Sequence, residues 1–69
     1  MMASNLVNIF STDKVYQAEL IRQMLADHHI HSFMINKQDS AYKFGDIEIF
    51  VHRDHVIRAK MLIRDFEAH

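Results

Sequence analysis

The pattern of apolar and polar residues divides the chain into three short strand-like segments and two helical ones. Residues 6–10 and 47–51 are rich in β-branched and aromatic side chains and alternate as strands with one buried face do. In the first of these, Val7 and Ile9 share one face, and Leu6, Asn8 and Phe10 share the other. Residues 30–35 form the third strand candidate, with apolar side chains on both faces.

Two segments instead repeat their apolar residues at helical spacing. Residues 13 to about 28 carry the stripe Val15, Ala18, Ile21, Met24 and Leu25, which Tyr16 and Leu20 widen. Residues 54 to about 66 carry the stripe Val56, Ala59, Leu62, Ile63 and Phe66, helped by Met61. We expect residues 11–13 to cap the start of the first helix and Asp54 to cap the start of the second. At the end of the first helix, we expect His28 or His29 to take the position that is usual for glycine.

The resulting order β-α-β-β-α predicts a single α+β domain over residues 1–69. It is that of a ferredoxin-like split β-α-β unit without its last strand: a three-stranded antiparallel sheet with two helices on one face. The first strand then lies beside the third and at an edge, where exposed backbone invites pairing. The predicted sheet core is Val7, Ile9, Ile47, Ile49 and Val51.

Composition narrows the classes of protein to consider. The chain has 69 residues, 49% of them hydrophobic and 25% charged, which is typical of a folded domain near the lower size limit. The net charge of −1 argues against a nucleic-acid partner. Since the sequence shows no long apolar run and no basic, apolar leader, we expect a cytoplasmic protein without a membrane partner. Since cysteine is absent, disulfides are excluded.

Aromatic residues point to a surface for assembly. Phe10 and Phe50, together with Phe33, are predicted on the sheet face away from the helices. We expect a second subunit to cover this face, which makes the protein a homo-oligomer, with a dimer favoured. The alternative is a binding platform open to ligands, as in RNA-recognition domains, although their characteristic aromatic motif is lacking here.

The connection between the second and third strands is a second candidate for binding. Residues 36–46 are mostly polar and form a longer loop than a hairpin needs. Asn36, Tyr42 and Phe44 are candidate contacts for a ligand or a protein partner. The alternative is that the two aromatic side chains fold back onto the domain.

Histidine is unusually frequent, with six residues in the chain. His28, His29 and His31 are close enough in sequence to be considered as metal ligands; the alternative is that they are exposed loop and cap residues. We predict no other cofactor. We also predict no enzymatic activity, because a cysteine nucleophile, a glycine-rich phosphate loop and a His-Glu-x-x-His motif are all missing.

Several segments together resemble a known family. They are residues 7–11, the Ala-Glu-Leu helix from Ala18, residues 29–36 and the strand of residues 47–51 after Gly45. In these the chain is similar to the small bacterial family of unknown function labelled "putative signal transducing protein". The resemblance implies a PII-like, ferredoxin-like and oligomeric domain in which the loop between the second and third strands carries signalling. The chain departs from the family at His29, where glycine is usual before Ile30.

The sequence therefore predicts a non-enzymatic regulatory or interaction module that acts through oligomerisation and through the loop between strands two and three. The alternative function is a histidine-based sensor of a metal or a small ligand.

Overall fold

A computed structural model describes residues 5–37 and 47–68, and within them it confirms the predicted α+β class and element order. The elements are β1 (Leu6–Thr12), α1 (Val15–Asp27), β2 (Ser32–Asn36), β3 (Ile47–His52), a short 3-10 turn (Arg53–His55) and α2 (Val56–Glu67). Tyr42, Phe44 and most of the predicted loop lie outside the described residues.

The three strands form one antiparallel sheet in the order β1-β3-β2. β1 lies beside β3, as predicted, and β3 is the central strand. Its alternation is clear, since Ile47, Ile49 and Val51 are fully buried while the residues between them are only half-buried. This strand therefore fixes which face of the sheet belongs to the core.

Both helices pack on that one face. A single buried cluster contains Ala18, Ile21 and Leu25 from α1, Ala59 and Ile63 from α2, and the three inward residues of β3. Ile30 completes it from the connection between α1 and β2. Fully burying an aliphatic side chain of this size is worth about 1.5–3 kcal/mol, so this cluster supplies most of the stability that so short a chain can gather.

A β-bulge in β1 changes the side on which Phe10 lies. Val7 is opposite Val51 and Asn8 opposite Phe50, but Phe10, not Ile9, is opposite Ile49. One extra residue in a strand reverses the alternation that follows it. Phe10 and Ile9 therefore both pack against the helix-covered core, and the prediction that Phe10 lies on the opposite face is wrong.

The apolar stripes of the helices are narrower than predicted. Tyr16, Leu20 and Met61 were assigned to the stripes and are exposed, and so are Val15 at the start of α1 and Phe66 near the end of α2. At 100° per residue, Tyr16 and Leu20 lie on the side of α1 opposite Ala18, and Met61 lies likewise opposite Ala59. Together with Ile57, which is 78% exposed, these residues give each helix an apolar pair on its outer side.

The predicted helix starts are also wrong in detail. α1 begins after Lys14, whose side chain makes no capping hydrogen bond. Thr12, one of the expected capping residues, belongs to β1 instead. The Thr12 hydroxyl nevertheless accepts a hydrogen bond from the Lys14 backbone N–H at 3.1 Å. Asp54 lies inside the 3-10 turn, where its backbone N–H donates to Nδ1 of His52 at 3.1 Å. Thus histidine, and not aspartate, caps the turn that leads into α2.

The end of α1 confirms the prediction made for the histidine pair. His29 has φ of 64°, the left-handed conformation in which glycine is usual. The Ile30 N–H donates to Leu25 O and the His29 N–H to Ala26 O, both at 2.9 Å, which is the Schellman motif. Since Ile30 and Leu25 are both fully buried, this turn directs the chain from α1 into the core before β2 begins.

Candidate functional site

The sheet face away from the helices, which we call the open face, carries a line of apolar side chains. Phe33 of β2 lies directly opposite Phe50 of β3, which faces Asn8 of β1 on its other side. Leu6 and Ile35 extend this line on the two outer strands. Phe33 is 44% exposed and Ile35 is 47% exposed, so neither described helix covers them. The placement of Phe33 and Phe50 on this face is confirmed.

Polar contacts surround the apolar centre of the open face. Lys37 Nζ lies 3.2 Å from a carboxylate oxygen of Glu48. This ion pair balances the charge of the one carboxylate that β3 presents on the open face. The Asn8 side-chain amide donates to the Phe10 carbonyl at 3.2 Å. The ring of His31 stacks on that of Phe33, with 4.7 Å between centroids and 14° between planes. An apolar centre with a locally paired polar rim is the usual anatomy of a protein interface.

The histidines of the described residues are not grouped as a metal site requires. His28 Nδ1 lies 3.0 Å from the Met24 carbonyl oxygen, so this ring forms a hydrogen bond with the last turn of α1. His31 lies against Phe33, while His29 occupies the left-handed turn. Across residues 5–37 and 47–68, no three His, Asp or Glu side chains are grouped so that they could hold a metal ion. The alternative interpretation, of cap and surface histidines, describes these three residues better.

Two further histidines, His52 and His55, meet at the start of α2. Their ring centroids are 6.3 Å apart in an edge-on arrangement, and His52 Nδ1 lies 3.4 Å from a carboxylate oxygen of Asp54. These contacts belong to the turn that begins α2, so they have a structural explanation and do not require a ligand.

A groove of about 610 Å³ lies between α1 and the start of β2. The polar residues that line it are Glu19, Arg22, Gln23, His29, His31 and Ser32. Sequence reasoning missed this site, because Arg22 is outside the apolar stripe of α1 and no local pattern links it to residues 29–32. The left-handed turn at His29 folds the chain back along the helix and brings residues 29–32 beside Arg22.

The remaining predicted contact residues have mixed positions. Asn36 ends β2 opposite Ile47 and is exposed, at the point where the chain leaves the sheet. Tyr42 and Phe44 are outside the described residues. Within the described ranges, neither helix has the length and apolar character that crossing a membrane requires.

Comparisons with protein-family models, with curated proteins and with solved structures found no match to this chain. The resemblance to the signal-transducing family thus stays a prediction from the residues.

Proposed function

We propose that this protein is a small, non-enzymatic regulatory module that dimerises through the open face. The observation that supports this most strongly is the cross-strand pair of Phe33 and Phe50 at the centre of that face. Aromatic pairs of this kind dominate the energetics of interfaces when they are desolvated. A second copy of the chain is the partner that the proposal names.

Two features make a second copy a suitable occupant. First, the domain is small: a chain of this length buries only about 60% of the surface that it exposes when unfolded, so covering another apolar sheet face is a substantial gain. Second, a two-fold interface brings a patch against itself, which penalises unbalanced charge. The Lys37–Glu48 ion pair leaves the open face locally neutral, so it can meet its own copy without like-charge repulsion.

The finer fold and the regulatory role belong to the same proposal. The strand order β1-β3-β2 is compatible with a ferredoxin-like sheet without a fourth strand, and the family resemblance suggests a cytoplasmic signalling role. In this proposal Asn36 at the end of β2, with Tyr42 and Phe44 in the segment after it, contacts a ligand or protein partner whose binding is coupled to assembly.

Single-cysteine variants test which surface is covered, since the chain has no cysteine of its own. Ile35→Cys places a thiol on the open face, and Ile57→Cys places one on the outer side of α2 as the matched control. We expect the first thiol to react with a maleimide more slowly as protein concentration rises, and the second to react at one rate throughout. Equal, concentration-independent reaction of both thiols would remove the support for the proposal.

The alternative function, a histidine-based metal sensor, has weaker support because the described histidines do not converge. A metal that binds only the folded chain must raise its melting temperature by mass action. We therefore expect zinc, nickel and copper each to leave the melting temperature unchanged in differential scanning fluorimetry. A saturable rise that is lost in His31→Ala would favour the metal sensor instead.

A further inference from the structure

The groove between α1 and β2 is lined mainly by hydrogen-bond donors. Arg22, His29, His31 and Ser32 each present at least one N–H or O–H group, whereas Glu19 supplies the single carboxylate of the lining. Its volume of about 610 Å³ lies within the range of about 300–1,000 Å³ typical of small-molecule sites. Its chemistry therefore suits a small molecule that offers hydrogen-bond acceptors.

Arg22 makes weak polar contacts with the other described residues. Its Nη1 lies 4.0 Å from the Glu19 carboxylate, beyond hydrogen-bond distance. Its Nε is buried and has no hydrogen-bond partner among the described residues. The side chain is 38% exposed and lines the groove, so a ligand there can reach the guanidinium. The planar guanidinium fork matches the two oxygens of a carboxylate or phosphate group.

His31 and His29 differ in where their rings lie. The His31 ring stacks on Phe33 and so belongs to the open face. His29 lines the groove, and its left-handed backbone, at a position where glycine is less strained, fixes where its side chain leaves the chain. An imidazole carries an N–H donor whether it is neutral or charged.

We propose that this groove binds a small organic oxyanion, a phosphate or a carboxylate, held by Arg22 in a bidentate contact and by the N–H group of His29. This site differs from the open face and does not depend on dimerisation. It gives His29, one of the three histidines considered as metal ligands, a role in binding an oxyanion instead.

The test is a titration of the 15N-labelled chain with pyrophosphate and, separately, with citrate, at constant ionic strength. We expect saturable shifts of the backbone amide signals of residues 29–32 with at least one probe. A tenfold tighter Kd for pyrophosphate assigns phosphate chemistry, and a tenfold tighter Kd for citrate assigns carboxylate chemistry. Absence of saturable shifts at residues 29–32 with both probes overturns the proposal.

Variants separate a specific site from general charge attraction. Arg22→Gln should weaken binding at least tenfold, and Arg22→Lys, which keeps the charge but loses the fork, should weaken it less. Arg58→Gln, which removes an exposed arginine of α2, is the matched control and should leave the Kd unchanged. An equal loss in Arg22→Gln and Arg58→Gln would contradict the proposal.

Two further variants keep the result interpretable. His29→Asn removes the imidazole but tolerates the left-handed turn, so we expect a folded chain with at least threefold weaker binding. Phe50→Glu alters the open face and should leave the Kd unchanged, so that failure of dimerisation and failure of oxyanion binding are distinguishable. Unchanged binding in both Arg22→Gln and His29→Asn would assign the shifts to another site.

Discussion

The two faces of the sheet both carry large apolar side chains but differ in what covers them. On one face, Ile47, Ile49 and Val51 are fully buried beneath both helices. On the other, Phe33 and Ile35 keep nearly half of their surface exposed, although they are as apolar as the core residues. Strands that are apolar on both sides are typical of sheets with both faces covered. The described chain covers one face, and we attribute the other to a second copy.

The largest expected effect comes from the covered face. Ile49→Ala should lower the free energy of unfolding by about 2–5 kcal/mol, because it removes a fully buried side chain and leaves a cavity. Ile35→Ala makes the same chemical change on the open face. In dilute solution, where the monomer dominates, it should cost less than about 1 kcal/mol. Urea unfolding followed by circular dichroism measures both, and equal costs would show that the faces do not differ.

A second comparison tests the bulge in β1. If Phe10 packs on the helix side, Phe10→Ala should cost about 1–3 kcal/mol, less than the 3–5 kcal/mol typical of a fully buried phenylalanine. Phe33→Ala should cost less than that in the same dilute solution, since Phe33 is on the open face. A larger loss for Phe33 than for Phe10 in urea unfolding would restore the sequence-based assignment of Phe10 to the open face.

The smallest effect concerns the turn between α1 and β2. His29→Gly should raise the free energy of unfolding by roughly 0.5–1 kcal/mol, because glycine relieves the left-handed strain but adds freedom to the unfolded chain. His28→Gly is the matched control: it has a negative φ of −104° and should show no gain. A destabilised His29→Gly variant would mean that the His29 side chain contributes packing that outweighs the strain.

Sequence reasoning succeeded where one local signal dominated. The alternation of β3 identified Ile47, Ile49 and Val51 as core, and the pair His28-His29 before a strand correctly marked a helix end that requires a left-handed residue. It failed at β1, because Ile9 and Phe10 are both apolar, so an inserted residue leaves no mark on the pattern.

Other features required three-dimensional information. Tyr16 and Leu20 fit a broad apolar stripe by composition, and only the packing of α1 shows that they face outward. Thr12 has the chemistry of a helix cap, but pairing with Ile47 draws it into β1. Arg22 and residues 29–32 line one groove on the two sides of a turn, and no spacing rule in the sequence anticipates that arrangement.

The most direct test of assembly through the open face is the solution mass of the wild-type chain, measured by size-exclusion chromatography with light scattering over a wide concentration range. Phe50→Glu and the control Ile57→Glu are measured beside it. Since a charge cannot be buried unpaired at the centre of an apolar interface, we expect a wild-type dimer, a monomeric Phe50→Glu variant and a dimeric Ile57→Glu variant. A wild-type monomer at every concentration, or a dimer that Phe50→Glu leaves intact, would contradict assembly through this face.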